Sequence, residues 1–415
     1  MVAEAVDLAA GKILVKNRRW FTDLRDVNLV WSLEKNGREI AGGTIRELGI
    51  APESAAEFTL GYTLPAEGVC TLNLSFRQNR ATAWASVGHE LGFTQLLCDV
   101  PMKAVTCTCE HMPATVEVTA SEDERYITVC ADETVYRFDK PYGALDKIEH
   151  NGAALITKPV KPTVWRAPTD NDRNIRNQWQ NHGFNNTEVN CYDMKLESCD
   201  GKLAIVTAKI SLSCYRSRPV LRADVKYIIF ATGEIRVTYD AKVEETVPFL
   251  PRFGVELTMP EMTENLRYFG YGPVESYQDK HLASRLGDFT TTVTDEHEPY
   301  VKPQENSAHW GTKWAMVWSI AGHGLLATAG GEDFSFNASH YSPAVLTNTA
   351  HEYELVPSKE TTFNIDYKQS GVGSNSCGPA LLPQYQLNEK EFTFTFRLKP
   401  VFANDVDPYE EMTRK

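Results

Sequence analysis

The chain has 415 residues, 42% of them hydrophobic and 10% aromatic, enough for several domains with real cores and too apolar for global disorder. Its 42 Lys and Arg stand against 55 Asp and Glu, and the net charge of −13 repels polyanions, so nucleic acid is not an expected partner. Nine Cys without paired spacing read as reduced thiols of a cytoplasmic protein rather than a disulfide framework. The opening MVAEAVDLAAGK lacks a basic region followed by an apolar one, so no secretory signal is read. No apolar run reaches the roughly 18 residues that a membrane helix needs, so no membrane is expected. Strand-like sequence starts near Lys12, and that abrupt start reads as a chain cut from something longer.

Alternation dominates from there on. VNLVWSLEKNGREIAGGTI has period two on both sides of Asn36-Gly37, the signal of a type I′ hairpin. RYITVCADETVYRFDK repeats the pattern, and ALDKIEHNGAAL turns at Asn151-Gly152. RNIRNQWQNHGF, Arg173 to Phe184, is the one convincing helical stretch, ended by Gly183. YIIFATGEIRVTYDAKV turns at Gly233, and TKWAMVWSIAGHGLLATAG adds strands. In the closing EFTFTFRL, Phe392, Phe394 and Phe396 share one face while Thr393, Thr395 and Arg397 share the other. Strands at short intervals with turn signals between them make an all-β protein of sandwiches. The first boundary falls between residues 106 and 107. Residues 1–106 have the size of an immunoglobulin-like β-sandwich, and 107–415 form one large sandwich or two stacked ones.

Four stretches carry possible chemistry. In TVWRAPTDNDRNIRNQW, Asp170, Asn171 and Asp172 offer oxygens to a cation, but the spacing of an EF-hand is not met. The same residues suit a polar ligand, or a turn in which Asx side chains bond the local backbone. CTCEH places Cys107, Cys109 and His111 on one strand face, which could seed zinc, yet no fourth ligand is apparent and core packing is the plainer reading. In YFGYGPVESYQDK, Glu275 and Asp279 could be an acid/base pair for glycoside hydrolysis. Gly270, Gly272 and Pro273 break the chain there, so a loop is expected, and its tyrosines could stack on sugars or simply pack. GVGSNSCGP lacks the GxGxxG spacing of a nucleotide loop, and no local His marks Cys377 as activated. Loops rich in Asp, Asn, Trp and Tyr suit a neutral polar ligand, and no complete catalytic set is visible.

WRAPTDNDR, YFGYGPVESYQDK, YVKPQENSAHWGTKW, DFSFNASHYS and GVGSNSCGP, in this order, resemble the C-terminal domain of glycoside hydrolase family 2 β-galactosidases. FTDLRDVNLVWSLEKNGREIAGG and ATAWASVGHELGFTQ resemble the immunoglobulin-like domain before it. The resemblance covers nearly the whole chain and implies a fourth-domain sandwich followed by a large antiparallel supersandwich related to galactose mutarotases. It also implies that the jelly roll, the first immunoglobulin-like domain and the (β/α)₈ barrel are missing. In the family the catalytic Glu pair lies on that barrel, as do the Mg²⁺ ligands, so no catalytic residue, metal or cofactor is expected in this chain, with Mg and Na belonging to the missing part. Glu275, Asp279 and Glu305 are accordingly given no catalytic role. The implied reaction is hydrolysis of terminal β-D-galactose, as in lactose, with this chain forming the outer wall of the sugar pocket.

The wall residues the resemblance implies are Arg166, Asp170, Asn171 and Asp172 from the first loop, and Asn375 and Cys377 from the glycine-rich turn. Cys377 or its neighbour stands where some members carry a Trp that stacks on the aglycone. A thiol offers far less stacking surface, which alters the leaving-group pocket unless Trp310 or Trp165 compensates. The expected partners are a β-galactoside, the missing N-terminal domains or a large subunit, and further copies in a homo-oligomer. Two alternatives stay open. One is a stand-alone carbohydrate-binding module. The other is a mutarotase-like epimerase, which needs a His and a carboxylate converging on one sugar, drawn from His309, His323 or His340 with Glu305 or Glu332.

Overall fold

The computed structural model describes residues 1–102, 117–215, 217–375, 377–403 and 405–413. The chain divides into two compact units, Met1–Ala104 with Leu286–Asp288, and Val105–Arg285 with Phe289–Lys415. The expected boundary at 106/107 and the CTCEH stretch both lie outside the described residues.

In the first unit, a three-stranded sheet orders Val2–Asp7, Lys12–Lys16 and Ala55–Thr59. A four-stranded sheet orders Arg38–Ile45, Val27–Lys35, Cys70–Gln78 and Glu90–Cys98. The first strand thus begins at Val2, ahead of the start expected near Lys12. Alternate residues of both sheets, among them Ile13, Val15, Leu29, Leu33, Leu72 and Leu74, close one core. Seven antiparallel strands in two facing sheets make an immunoglobulin-like sandwich. Asn36 and Gly37 both have positive φ, at 52° and 73°, as the type I′ turn between Val27–Lys35 and Arg38–Ile45 requires.

Among the described residues, the second unit holds a nine-stranded sheet and two five-stranded sheets. Their strands pair antiparallel, as where Leu221–Phe230 meets Ile235–Val243 and where Arg252–Met259 meets Thr361–Gln369. Alternation explains the layering. Leu221, Ala223, Val225 and Tyr227 are buried while Arg222, Asp224 and Lys226 between them are exposed. Each fully buried large apolar side chain contributes about 1.5–3 kcal/mol of transfer free energy. Phe392, Phe394 and Phe396 sit in the same core on Glu391–Phe402, on the face expected of them.

Two local expectations change. The helix over Arg173 to Phe184 is broken into a 3₁₀ turn at Asp170–Arg173, an α-helix at only Arg176–Asn181, and a second 3₁₀ turn at Phe184–Asn186. Gly183, with φ of 72°, stops the α-helix as expected. Gly270 and Gly272 do not break the chain, because the strand Thr263–Gly272 runs through both. They are required by close neighbours: an added Cβ would lie 2.4 Å from Thr312 Oγ1 at Gly270, and 2.2 Å from the Tyr268 hydroxyl at Gly272.

Candidate functional site

Four loops of the second unit converge on a polar cavity of about 570 Å³. Thr169, Asp170 and Asn171 come from the loop after strand Lys161–Thr163. Glu275, Tyr277, Asp279 and Lys280 follow strand Thr263–Gly272. Tyr300, Gln304 and Glu305 precede strand His309–Thr312, and Val372 and Gly373 follow strand Thr361–Gln369.

The first loop is held from beneath. The Arg166 side chain is 0% exposed, and its Nη2 donates to both carboxylate oxygens of Asp172 at 2.9 and 3.1 Å. The same guanidinium donates to the carbonyls of Ser370 and Gly371, which couples this loop to the glycine-rich one. Asp172 also accepts from the Thr169 N–H at 2.9 Å. Arg166 and Asp172 therefore lie under the cavity lining and set its shape, while Asp170 and Asn171 reach the cavity itself. Gln304 Oε1 accepts from the Asp170 N–H at 2.8 Å, and Asn171 Nδ2 donates to the Val372 carbonyl. The polar residues quoted above thus make up a tightly specified turn whose outer edge borders a cavity.

The carboxylates behind that edge are engaged. Glu275 accepts from Lys280 Nζ at 2.5 Å, from the Tyr300 hydroxyl and from the Ser307 N–H at 3.1 Å. Burial acts to lower the Lys280 pKa, but the hydrogen bond and charge of Glu275 outweigh it and raise it overall. Asp279 accepts from the N–H groups of Val372 and Gly373 at 3.0 and 2.8 Å, so it serves as the anchor of the glycine-rich turn. Glu305 is only 2% exposed. Its Oε1 takes Asn337 Nδ2 at 3.2 Å and Gln369 Nε2 at 3.4 Å, with Arg252 Nη2 at 3.5 Å. Burial raises the Glu305 pKa, and the negative charge of Asp366 adds to the rise. Arg252 itself binds Asp366 through two hydrogen bonds, at 3.1 and 2.5 Å.

Other candidates lie elsewhere. Asn375 takes a left-handed φ of 84° and donates its N–H to the Pro379 carbonyl at 3.1 Å. Cys377 is exposed, and neither residue lines the cavity. Trp165 is buried and bonds Thr347 Oγ1, while Trp310 stacks on His281. His309 is 0% exposed and pairs with Glu296 at 2.6 Å, and His340 pairs with Glu264 at 2.7 Å. Neither His meets Glu305 or Glu332, the carboxylates an epimerase reading would need. Among the described residues no group of three or more His, Cys, Asp or Glu could hold a metal ion. Sequence reading missed Lys280, Tyr300 and Gln304 at the cavity and Arg252 and Asp366 behind it. Lys280 meets Glu275 five residues before it, within the loop that the sequence analysis singled out, whereas Tyr300, Gln304, Arg252 and Asp366 meet their partners only through tertiary folding.

The family model for the β-galactosidase small chain matches residues 131–398, and the model for β-galactosidase domain 4 matches residues 13–99. A β-galactosidase of Actinobacillus pleuropneumoniae is 37% identical over 399 residues, covering 95% of this chain and 38% of that protein. A β-galactosidase of Staphylococcus xylosus is 32% identical over 362 residues, covering 86% of this chain and 36% of that protein. The chain thus spans little more than a third of the length of the curated relatives it matches. A galactose 1-epimerase structure from Lactobacillus acidophilus aligns with 70% of this chain and all of its own, at 12% identity and a TM-score of 0.39.

Proposed function

The chain belongs to the β-galactosidase small-chain family, and from that premise we propose that it is the C-terminal part of a β-galactosidase acting on terminal β-D-galactose residues such as that of lactose. The reaction is the retaining double displacement of glycoside hydrolase family 2, with both catalytic carboxylates, and the Mg and Na, on the barrel-bearing part outside this chain. That part is the principal partner, either in one polypeptide or as a large subunit, and copies of the whole associate in a homo-oligomer. The seven described cysteines are all free, in keeping with a cytoplasmic location. No helix among the described residues is long and apolar enough to cross a membrane.

The role of this chain is to wall the sugar pocket. Asp170 and Asn171 present polar groups at the cavity edge, with Arg166 and Asp172 fixing them from below and Asn375 and Cys377 on the neighbouring turn. The observation that carries this reading is the occupation of Glu275 and Asp279. The first is bound by Lys280, Tyr300 and the Ser307 N–H, and the second by two backbone N–H groups. A nucleophile and a general acid must instead face the scissile bond. The test is hydrolysis of a chromogenic β-galactoside by the chain alone and by the chain mixed with the separately expressed N-terminal part. Activity only in the mixture is expected. Turnover by the isolated chain would overturn the proposal.

A further inference from the structure

One end of the first sandwich presents three large aromatic rings to solvent. Strand register fixes which segments meet there. Val2 pairs with Lys16 and Lys16 with Ala55, while Val27 pairs with Gln78, Arg77 with Glu90 and Leu29 with Ile45. The N-terminus, the loop between Lys16 and Val27, the loop between Ile45 and Ala55 and the loop between Gln78 and Glu90 therefore share one end. Trp20 and Phe21 lie on the first of these loops and Trp84 on the last, and they are 71%, 92% and 67% exposed.

The loops that carry the rings are pinned. Asn17 is buried, and its Nδ2 donates to the carbonyls of Thr22 and Ile50 at 2.9 and 3.0 Å. Leu24 is wholly buried in the sandwich core, and Arg19 Nη1 bonds Asp26 Oδ1 at 2.6 Å. Asn79 ties the two aromatic loops together, donating its N–H to the Asp26 carbonyl at 2.9 Å and its Nδ2 to the Arg25 carbonyl at 2.7 Å. Gln78 Nε2 donates to the Ala85 and Ser86 carbonyls, and the Trp84 ring meets His89 edge-on at 5.2 Å. Phe21, Thr22, Arg25, Asn79 and Arg80 line a groove of about 540 Å³ between the loops. Aromatics held on fixed loops have large apolar area to bury and little freedom left to lose, which is the character of an interface anchor.

The position and charge of this end indicate what covers it. Val2 pairs only four residues before Trp20, so a polypeptide joined to the N-terminus would meet the sandwich beside the rings. Arg18 and Arg80 are exposed, and among the described residues neither forms an ion pair. They make a basic edge on a chain of net charge −13. We propose, on the reading above that a barrel-bearing part precedes this chain, that this end of the sandwich docks that part. The partner surface offers apolar recesses to Trp20, Phe21 and Trp84 and carboxylates to Arg18 and Arg80.

The chain is mixed with the separately expressed N-terminal part, and assembly is measured by analytical ultracentrifugation. All substituted side chains are exposed, so melting of the free chain should be unchanged in every variant. The double variant Trp20→Ser, Phe21→Ser should weaken assembly by about 30-fold or more, and Trp84→Ser should weaken it as well. Arg80→Glu should weaken it mainly at low ionic strength. Tyr142→Ser, at a ring 62% exposed in the second unit, should leave it unchanged. Unaltered parts that assemble, with equal affinity in the double variant and in Trp84→Ser, would overturn the docking surface and leave the reading of the parent enzyme standing. Unaltered parts that do not assemble would overturn that reading and the docking surface with it. Loss of self-association by the free double variant, with assembly intact, would assign the surface to a second copy instead.

Discussion

Replacing Asp172 with Ala should cost the second unit far more than an ordinary loop substitution. The side chains of Arg166 and Asp172 are 0% and 7% exposed, so the change strands a guanidinium where water cannot screen it. Breaking a buried pair from one side costs about 3–5 kcal/mol. For a unit of roughly 300 residues, about 1.5 °C per kcal/mol puts the fall in the thermal midpoint at roughly 5–8 °C. Intrinsic fluorescence is a direct probe, because Trp179 lies under the Arg166 guanidinium, 5.6 Å from its ring centre. Asp172→Asn separates the two duties of the residue. It keeps an acceptor for the Thr169 N–H but loses the charge, and should recover only about 1 kcal/mol of the loss. Since Arg166 also holds the Ser370 and Gly371 carbonyls, amide exchange should quicken in the glycine-rich turn as well. A loss below about 1 kcal/mol in Asp172→Ala would refute the claim that this pair holds the loop.

Glu305 has a raised pKa in the folded chain, so over the interval above the unfolded carboxylate value of about 4.3 the folded state binds more protons than the unfolded one. Its contribution to stability therefore falls as pH rises through that interval, and Glu305→Gln should flatten the fall in urea melts as pH rises above the unfolded carboxylate value. An unchanged slope would place the proton elsewhere. Gly371→Ala should destabilise by about 1–3 kcal/mol, because the new Cβ would lie 2.4 Å from Asp279 Oδ2, a carboxylate pinned by the next two N–H groups. Asn171→Ala should cost only about 1 kcal/mol in denaturant melts, since it removes a single hydrogen bond, to the Val372 carbonyl.

The layered fold was legible because burial imposes period two on each strand. The Phe392, Phe394 and Phe396 stripe and the hairpins at Asn36-Gly37 and Asn151-Gly152 follow from that alternation and from residues that tolerate positive φ. The α-helix starts later than expected because Asp172 is drawn down to Arg166 and the Thr169 N–H, which tightens the start of the segment into a 3₁₀ turn. The first polar loop could be singled out by composition. The inward facing of Arg166 and Asp172 could not, since it depends on the Ser370 and Gly371 carbonyls more than 200 residues away. The Glu275 and Asp279 spacing was equally silent about partners as distant as Tyr300 and Val372.

The most direct test of the wall role is the kcat of the reconstituted enzyme carrying Glu275→Gln, Asp279→Asn or Glu305→Gln, measured with an activated aryl β-galactoside on variants confirmed to be folded. A kcat within about tenfold of the parent is expected for each, with the larger changes in KM. Loss of a true acid, base or nucleophile costs roughly 10²–10⁴ in rate. A kcat lowered by about 10³ or more in any one of the three folded variants would place a catalytic carboxylate in this chain.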